Sequence, residues 1–154
     1  MKTKTIKKSL EISAPKENVW DVLINDKFTR AWYAVFSQGT HAETDWKVGS
    51  KATFTDDSHS GLIGKIIENK PNEILSIEYE GMVVDGLEDY DSEIARSIKG
   101  GREIYQLSGN NSSTHLSISC DMSEDYFESM SLAWDKALLK ISELAVGNNN
   151  PRSN

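Results

Sequence analysis

Side-chain catalysis needs a base, a nucleophile or a metal ligand held against a partner, so histidines, cysteine and carboxylate clusters are read first. His41, His59 and His115 are widely separated, and none has a second histidine at the spacing of a zinc-binding helix. Asp85, Glu88, Asp89, Asp91 and Glu93 would attract a cation, yet the glycine and terminal glutamate of a calcium loop are out of register. This run reads as a solvated acidic loop. Asp56, Asp57 and His59 share one hairpin and could exchange protons with a ligand, but hairpin tips usually face solvent. Cys120 has the parity of Leu116 and Ile118, which makes it a buried bystander and not an activated thiolate. P-loop, G-x-G-x-x-G and G-x-S-x-G motifs are absent from the sequence. The expectation is a protein that is not an enzyme and uses no metal or cofactor.

What remains is an aromatic and apolar set: Trp32, Phe54, Tyr79, Tyr105, Met130 and Trp134. Large rings of this kind either fill a solid core or line a pocket whose few polar tips orient a ligand. Here the tips would be the tyrosine hydroxyls. We take these six as the candidate ligand-binding residues, with Trp32 as the ring whose loss should harm binding more than folding. Trp20, set among Val19, Leu23 and Ile24, should do the reverse.

The elements that must position this set are legible in the hydrophobic period. Ile6, Leu10, Ile12 and Ala14 share one parity, as in a half-buried strand. The lysines around them suit the solvated side of an edge strand. Pro15 suits the first turn of a helix, and Val19, Trp20, Leu23 and Ile24 form its apolar stripe. Asn25 and Asp26 interrupt that stripe before Phe28, Ala31 and Trp32 resume it, so two short helices are expected. Strand-like runs follow at 35–44, 51–55, 62–68, 74–80, 102–107 and 115–121, joined by turn-rich links. Short links imply antiparallel neighbours. Leu75, Ile77 and Tyr79 point to a covered face, with Ser76, Glu78 and Glu80 on a wet one. The cover is a long helix beginning near Ser123, with Phe127, Met130, Trp134, Ala137, Ile141 and Leu144 along one side. Met82 to Gly101 has no clear period, beyond a helical turn or two within 91–99, and reads as a lid or a mobile loop.

The totals exclude several partners. A chain of 154 residues suits one domain, here 1–146, with a flexible polar tail at 147–154. Its net charge of -7 opposes nucleic-acid and anionic-membrane binding. One cysteine allows no internal disulfide, and no apolar run has the length of a signal peptide or membrane span, so a cytoplasmic location is expected. Asn110 and Asn111, each the first residue of an Asn-x-Ser match, read as turn residues.

Order and spacing together carry a resemblance. The features are Ile12-Ser13-Ala14-Pro15 followed by Val19-Trp20, Trp32 closing the second helix, and Thr44-Asp45-Trp46-Lys47-Val48-Gly49-Ser50 leading into a strand. Gly64 with Ile66, the Lys70-Pro71-Asn72 turn, Tyr105-Gln106-Leu107, Thr114-His115-Leu116 and the helix from Trp134 to Leu144 complete it. Across residues 5–145 the chain resembles the single-domain bacterial homologues of activators of the heat-shock-protein-90 ATPase, within the START and birch-pollen-allergen superfamily. The resemblance implies an α+β helix-grip fold: a curved antiparallel sheet wrapped around a long C-terminal helix, two short helices after the first strand, and a cavity between. Since fold alone does not choose a function, three expectations stand. The leading one is binding of a small hydrophobic or lipid-like ligand, with 82–101 as a gate. The others are a co-chaperone-like module that contacts a chaperone, and a cyclase-like enzyme with Tyr79 or Tyr105 as proton donor.

Overall fold

The structure, a computed structural model, describes residues 2–148. Residues 149–154 of the expected flexible tail lie outside the described residues. The alternating first segment forms β1 (Thr3–Ile12), an edge strand with Ile6 and Ile12 buried. Lys8 on this strand reaches across to Asp135 at 2.7 Å. Pro15 is the N-cap residue of α1 (Lys16–Ile24), one position earlier than its expected place, with φ -67° and ψ 158°. Its carbonyl accepts from the amides of Asn18 and Val19. Asn25 then ends α1 and caps α2 (Asp26–Tyr33), its side chain accepting from the Lys27 amide.

Residues 35–44, expected as a strand, supply only the short β2 (His41–Glu43). The amides of Val35 and Phe36 turn back to the carbonyls of Trp32 and Tyr33, so the last turn of α2 captures backbone groups that a strand would have used. Next come β3 (Lys51–Thr55), β4 (Gly61–Lys70) and β5 (Ile74–Val84). The segment without clear period is also more ordered than its composition suggests. Asp85 and Gly86, both at positive φ (50° and 81°), form a two-residue turn that pairs β6 (Leu87–Asp89) with the end of β5. Ser92 then caps α3 (Glu93–Ile98) by accepting from the Ala95 amide. β7 (Arg102–Gly109) and β8 (Thr114–Ser123) complete an eight-stranded antiparallel sheet.

Its order is β1-β8-β7-β5-β4-β3-β2, with β6 beside β5. The first and last strands therefore pair, from Thr3 opposite Ser123 to Ile12 opposite Thr114. Register shifts in β4 at Ile63/Gly64 and Ile66/Glu68 bend the sheet. Gly64 permits the close approach there, because a Cβ would sit 2.7 Å from Ile77 Cγ2. Ser76, expected on the wet face, is buried; it lies on an inner strand, opposite Glu68 of β4 on one side and Ile104 of β7 on the other.

Ser123 caps a 3-10 turn (Glu124–Tyr126), and α4 (Phe127–Val146) begins after it. At 1.5 Å per residue, the 20 residues of α4 span about 30 Å, enough to cross the sheet. Trp134, Ala137, Leu138, Ile141 and Ala145 are its buried face. Each fully buried large apolar side chain contributes about 1.5–3 kcal/mol, so this face is a major attachment of helix to sheet. α1 and α2 close one end of the concave sheet. The architecture is the helix-grip fold.

Candidate cavity between sheet and helix

A cavity of about 510 Å³ lies between the concave face of the sheet and the N-terminal half of α4. Its walls include Trp32 from α2, Phe54 from β3, Tyr79 from β5, Tyr105 from β7, and Met130 and Trp134 from α4. The rings form a connected wall. Trp32 and Trp134 lie 6.2 Å apart between centroids, and each lies within about the same distance of Tyr105, at 6.2 and 6.0 Å. Tyr33 meets Trp32 edge-on at 4.5 Å, and Phe36 meets Trp134 at 4.9 Å. Such edge contacts add about 0.5–1.5 kcal/mol each beyond burial. Ile94 of α3 and Tyr126, both exposed, also border the cavity, which places its mouth between α3 and the turn before α4.

Trp32 belongs to core and cavity alike. It is 1% exposed, against 6% for Trp20, and its indole N–H donates to the Val22 carbonyl at 2.9 Å. The expected separation into a binding ring and a folding ring is therefore not seen in burial. Trp32 fastens α2 to the C-terminal turn of α1 while presenting a face to the cavity.

The floor contains a residue that the sequence reading passed over. Glu103 lines the cavity, and the hydroxyls of Tyr79 and Tyr105 donate to its two carboxyl oxygens, one each. The Cys120 sulfur lies 3.8 Å from one of those oxygens and 3.7 Å from the Tyr79 hydroxyl. Strand register makes the cluster: Glu103 pairs with Cys120 on β8 and with Ile77 on β5, two residues before Tyr79. Burial pushes the Glu103 carboxyl above the usual carboxylate range, opposed by the hydrogen bonds from Tyr105, Tyr79 and Cys120. Burial also holds Tyr33, Tyr79 and Tyr105 well above the ordinary phenol range, with the Glu103 charge adding to each. The Cys120 thiol is pushed up by burial and then by Glu103. The tyrosines are thus neutral donors at neutral pH, facing a carboxyl that holds its proton more tightly than usual.

A signal for Glu103 was present in the sequence. It shares parity with Tyr105 and Leu107, both buried, so a carboxyl had to face inward or break the strand pattern. Tyr33 and Phe36 were missed because they fall where α2 was expected to end and a strand to begin.

Of the other candidate groups, Asp56 also borders the cavity, but Asp57 and His59 do not line it and the histidines lie apart. Asp56 accepts from Ser37 and Ser58 hydroxyls, each at 2.5 Å, and these bonds hold its carboxyl well below the usual range. It organises the turn. His59 occupies a left-handed position at φ 61° in that turn. His115 bonds Glu11 across the β1–β8 pair, and His41 lies 3.5 Å from Glu43. Among the described residues, no three His, Cys, Asp or Glu side chains are grouped as metal ligands, and no helix is long and apolar enough to cross a membrane.

The architecture has known counterparts. No curated protein matches the sequence. Protein MLL2253 from Mesorhizobium loti is 16% identical, with a TM-score of 0.74 over 96% of this chain and 100% of that one. CalU16 from Micromonospora echinospora is 17% identical, with a TM-score of 0.67 over 97% of this chain and 79% of that one. The structure of the Aha1 dimer from Colwellia psychrerythraea is 17% identical, with a TM-score of 0.68 over 95% of this chain and 99% of that one. At such identities the likeness is one of fold. The family model of Activator of Hsp90 ATPase homolog 1-like protein matches residues 13–95, more than half of the chain. That span holds Trp32, Phe54 and Tyr79 but ends before Glu103, Tyr105, Cys120 and α4, so family membership leaves the cavity floor unassigned. On this match, the chain belongs to the Activator of Hsp90 ATPase homolog 1-like family.

Proposed function

We propose that this protein binds a small apolar or amphipathic molecule between the sheet and α4. The observation that carries the reading is a cavity of about 510 Å³ with aromatic walls and a polar floor. Trp32, Phe54, Tyr79, Tyr105, Met130 and Trp134 contact the ligand, and burial of its surface at about 25 cal/mol per Å² supplies most of the affinity. Residues 82–101 act as the gate, with α3 moving at the mouth while buried Ala95 anchors it. A reducing, cytoplasmic setting suits the single free cysteine. The test is a lipid and aromatic library screened by tryptophan fluorescence and amide NMR shifts. Shifts confined to cavity residues support the reading; a library that moves none of them ends it.

One observation favours a second reading, acid–base catalysis on a molecule held in the same cavity. General acid–base chemistry needs a proton carrier within reach of the substrate, and Glu103 is a titratable group on the floor. Tyr79 and Tyr105 both donate to Glu103, so the two hydroxyls would hold the carboxylate in place as a base that takes a proton from the substrate. A chaperone partner, as the family's name suggests, would find its apolar surface on α4, where exposed Leu132, Leu139 and Val146 recur every seven residues.

A further inference from the structure

Hydrogen-bond accounting at the cavity floor leaves spare capacity at an acceptor, Glu103, and at a buried donor, Trp134. The Glu103 oxygens take one tyrosine hydroxyl each and a long contact from Cys120 at 3.8 Å. An ionised carboxylate has about four acceptor sites, so capacity remains. Among the described residues, no lysine, arginine or histidine is in ion-pair contact with it. Across the floor, the indole N–H of Trp134, a residue 2% exposed, is buried with no oxygen or nitrogen acceptor and faces only a weak one, the Cys120 sulfur. It is turned towards the Cys120 sulfur, which itself lies beside Glu103. The residues that carry the spare donor and the spare acceptor line the same cavity, with Cys120 beside both. A buried donor without a partner costs about 1–3 kcal/mol, and a ligand atom that accepts from it recovers that cost on binding.

We propose that the cavity selects an apolar molecule bearing a neutral hydroxyl, an alcohol or phenol, whose O–H donates to Glu103 while its oxygen accepts from Trp134. It rests on the cavity being a ligand site. A hydroxyl is the simplest group that donates and accepts at one atom. An ammonium satisfies Glu103 but offers Trp134 only further donors. A carboxylate satisfies Trp134 but places a second negative charge beside Glu103, in a cavity bordered also by Asp56, Asp121 and Asp125 against the one lysine, Lys99, among its described lining residues. An ether accepts and cannot donate.

The test titrates the full chain at pH 7 with four ligands sharing one apolar body: 2-naphthol, 2-methoxynaphthalene, 2-naphthoate and 2-naphthylmethylammonium. Proton–nitrogen NMR follows the cavity amides and the Trp134 indole signal. The expected result is that 2-naphthol binds about tenfold or more tightly than the other three and moves the Trp134 indole proton downfield. Trp134→Phe, which deletes the N–H and keeps a ring, should weaken 2-naphthol about fivefold or more beyond whatever loss of ring contact it also inflicts on the ammonium. Equal affinity for all four at cavity resonances overturns the hydroxyl assignment and leaves the ligand site standing. Preference for the ammonium with an unmoved Trp134 signal also overturns it and makes Glu103 a cation site. Failure of all four to move any cavity resonance overturns it as well, and the broader library then decides the ligand site separately. The four-ligand series on the unaltered protein decides the matter even where the variant does not fold.

Discussion

Replacing Trp32 by phenylalanine tests whether this ring joins fold to cavity. Its indole N–H donates at 2.9 Å to the carbonyl of Val22, a fully buried residue in the last turn of α1. Carbonyls in the last turn of a helix have no partner within it, so the indole supplies an acceptor's missing donor. Removing that donor leaves a buried carbonyl unpaired, at about 1–3 kcal/mol. Shrinking the ring in a site closed by Tyr33, Tyr105 and Trp134 adds about 1–2 kcal/mol for the void. The total is about 2–5 kcal/mol. At 2–4 °C per kcal/mol for a chain of this size, the midpoint of thermal unfolding should fall by roughly 4–20 °C. Urea unfolding followed by far-ultraviolet circular dichroism measures the free energy directly. Trp20→Phe is the comparison: it should also destabilise, because Trp20 is buried, but it should leave the binding of any cavity ligand unchanged. A Trp32→Phe protein within about 0.5 kcal/mol of the parent would refute the reasoning, since the Val22 carbonyl would then have found another partner.

Two further outcomes follow from the floor. Glu103 titrates above its unfolded value, near 4.3, so between the two values the folded state holds more protons and stability falls as pH rises. Tyr79, Tyr105, Cys120 and nearby Tyr33 stay neutral across that window, and Glu103→Gln should therefore gain stability relative to the parent between pH 4.5 and 7.5 by urea unfolding; an equal difference at both pH values would contradict the assignment. Cys120 should resist iodoacetamide at pH 8 in the folded protein and react readily in urea, as read by mass spectrometry, because its buried thiol is pushed up and the thiolate is the reactive form. Rapid labelling of the folded protein would show the floor open to solvent.

Element order was legible because each element reports its own period. The alternation of β1, the stripe of α1 and the long apolar face of α4 are properties of consecutive residues, and the structure follows them closely. Where the reading failed, backbone chemistry outweighed side-chain type. Val35 and Phe36 look like strand residues, yet their amides were claimed by carbonyls at the end of α2. Residues 85–89 look irregular because their order comes from a turn at positive φ and from pairing with β5, neither of which creates a hydrophobic period.

The cavity was only half legible, for a related reason. Aromatic residues declare themselves by type, whereas Glu103 matters through its partners on β5 and β8, and those pairings depend on register. A carboxyl at that position burdens the fold, because it is half-buried with no cation in ion-pair contact among the described residues, and removal from water raises its hold on a proton. An apolar residue there would remove the burden but leave the Tyr79 and Tyr105 hydroxyls without their acceptor. The cluster is therefore replaceable only as a unit, by phenylalanines around an aliphatic residue, and such a floor should be the more stable one. That a polar group of this cost lines a cavity and not the packed core beneath α4 suits the proposed ligand site, since a site needs unsatisfied capacity where a ligand can reach it and a core does not.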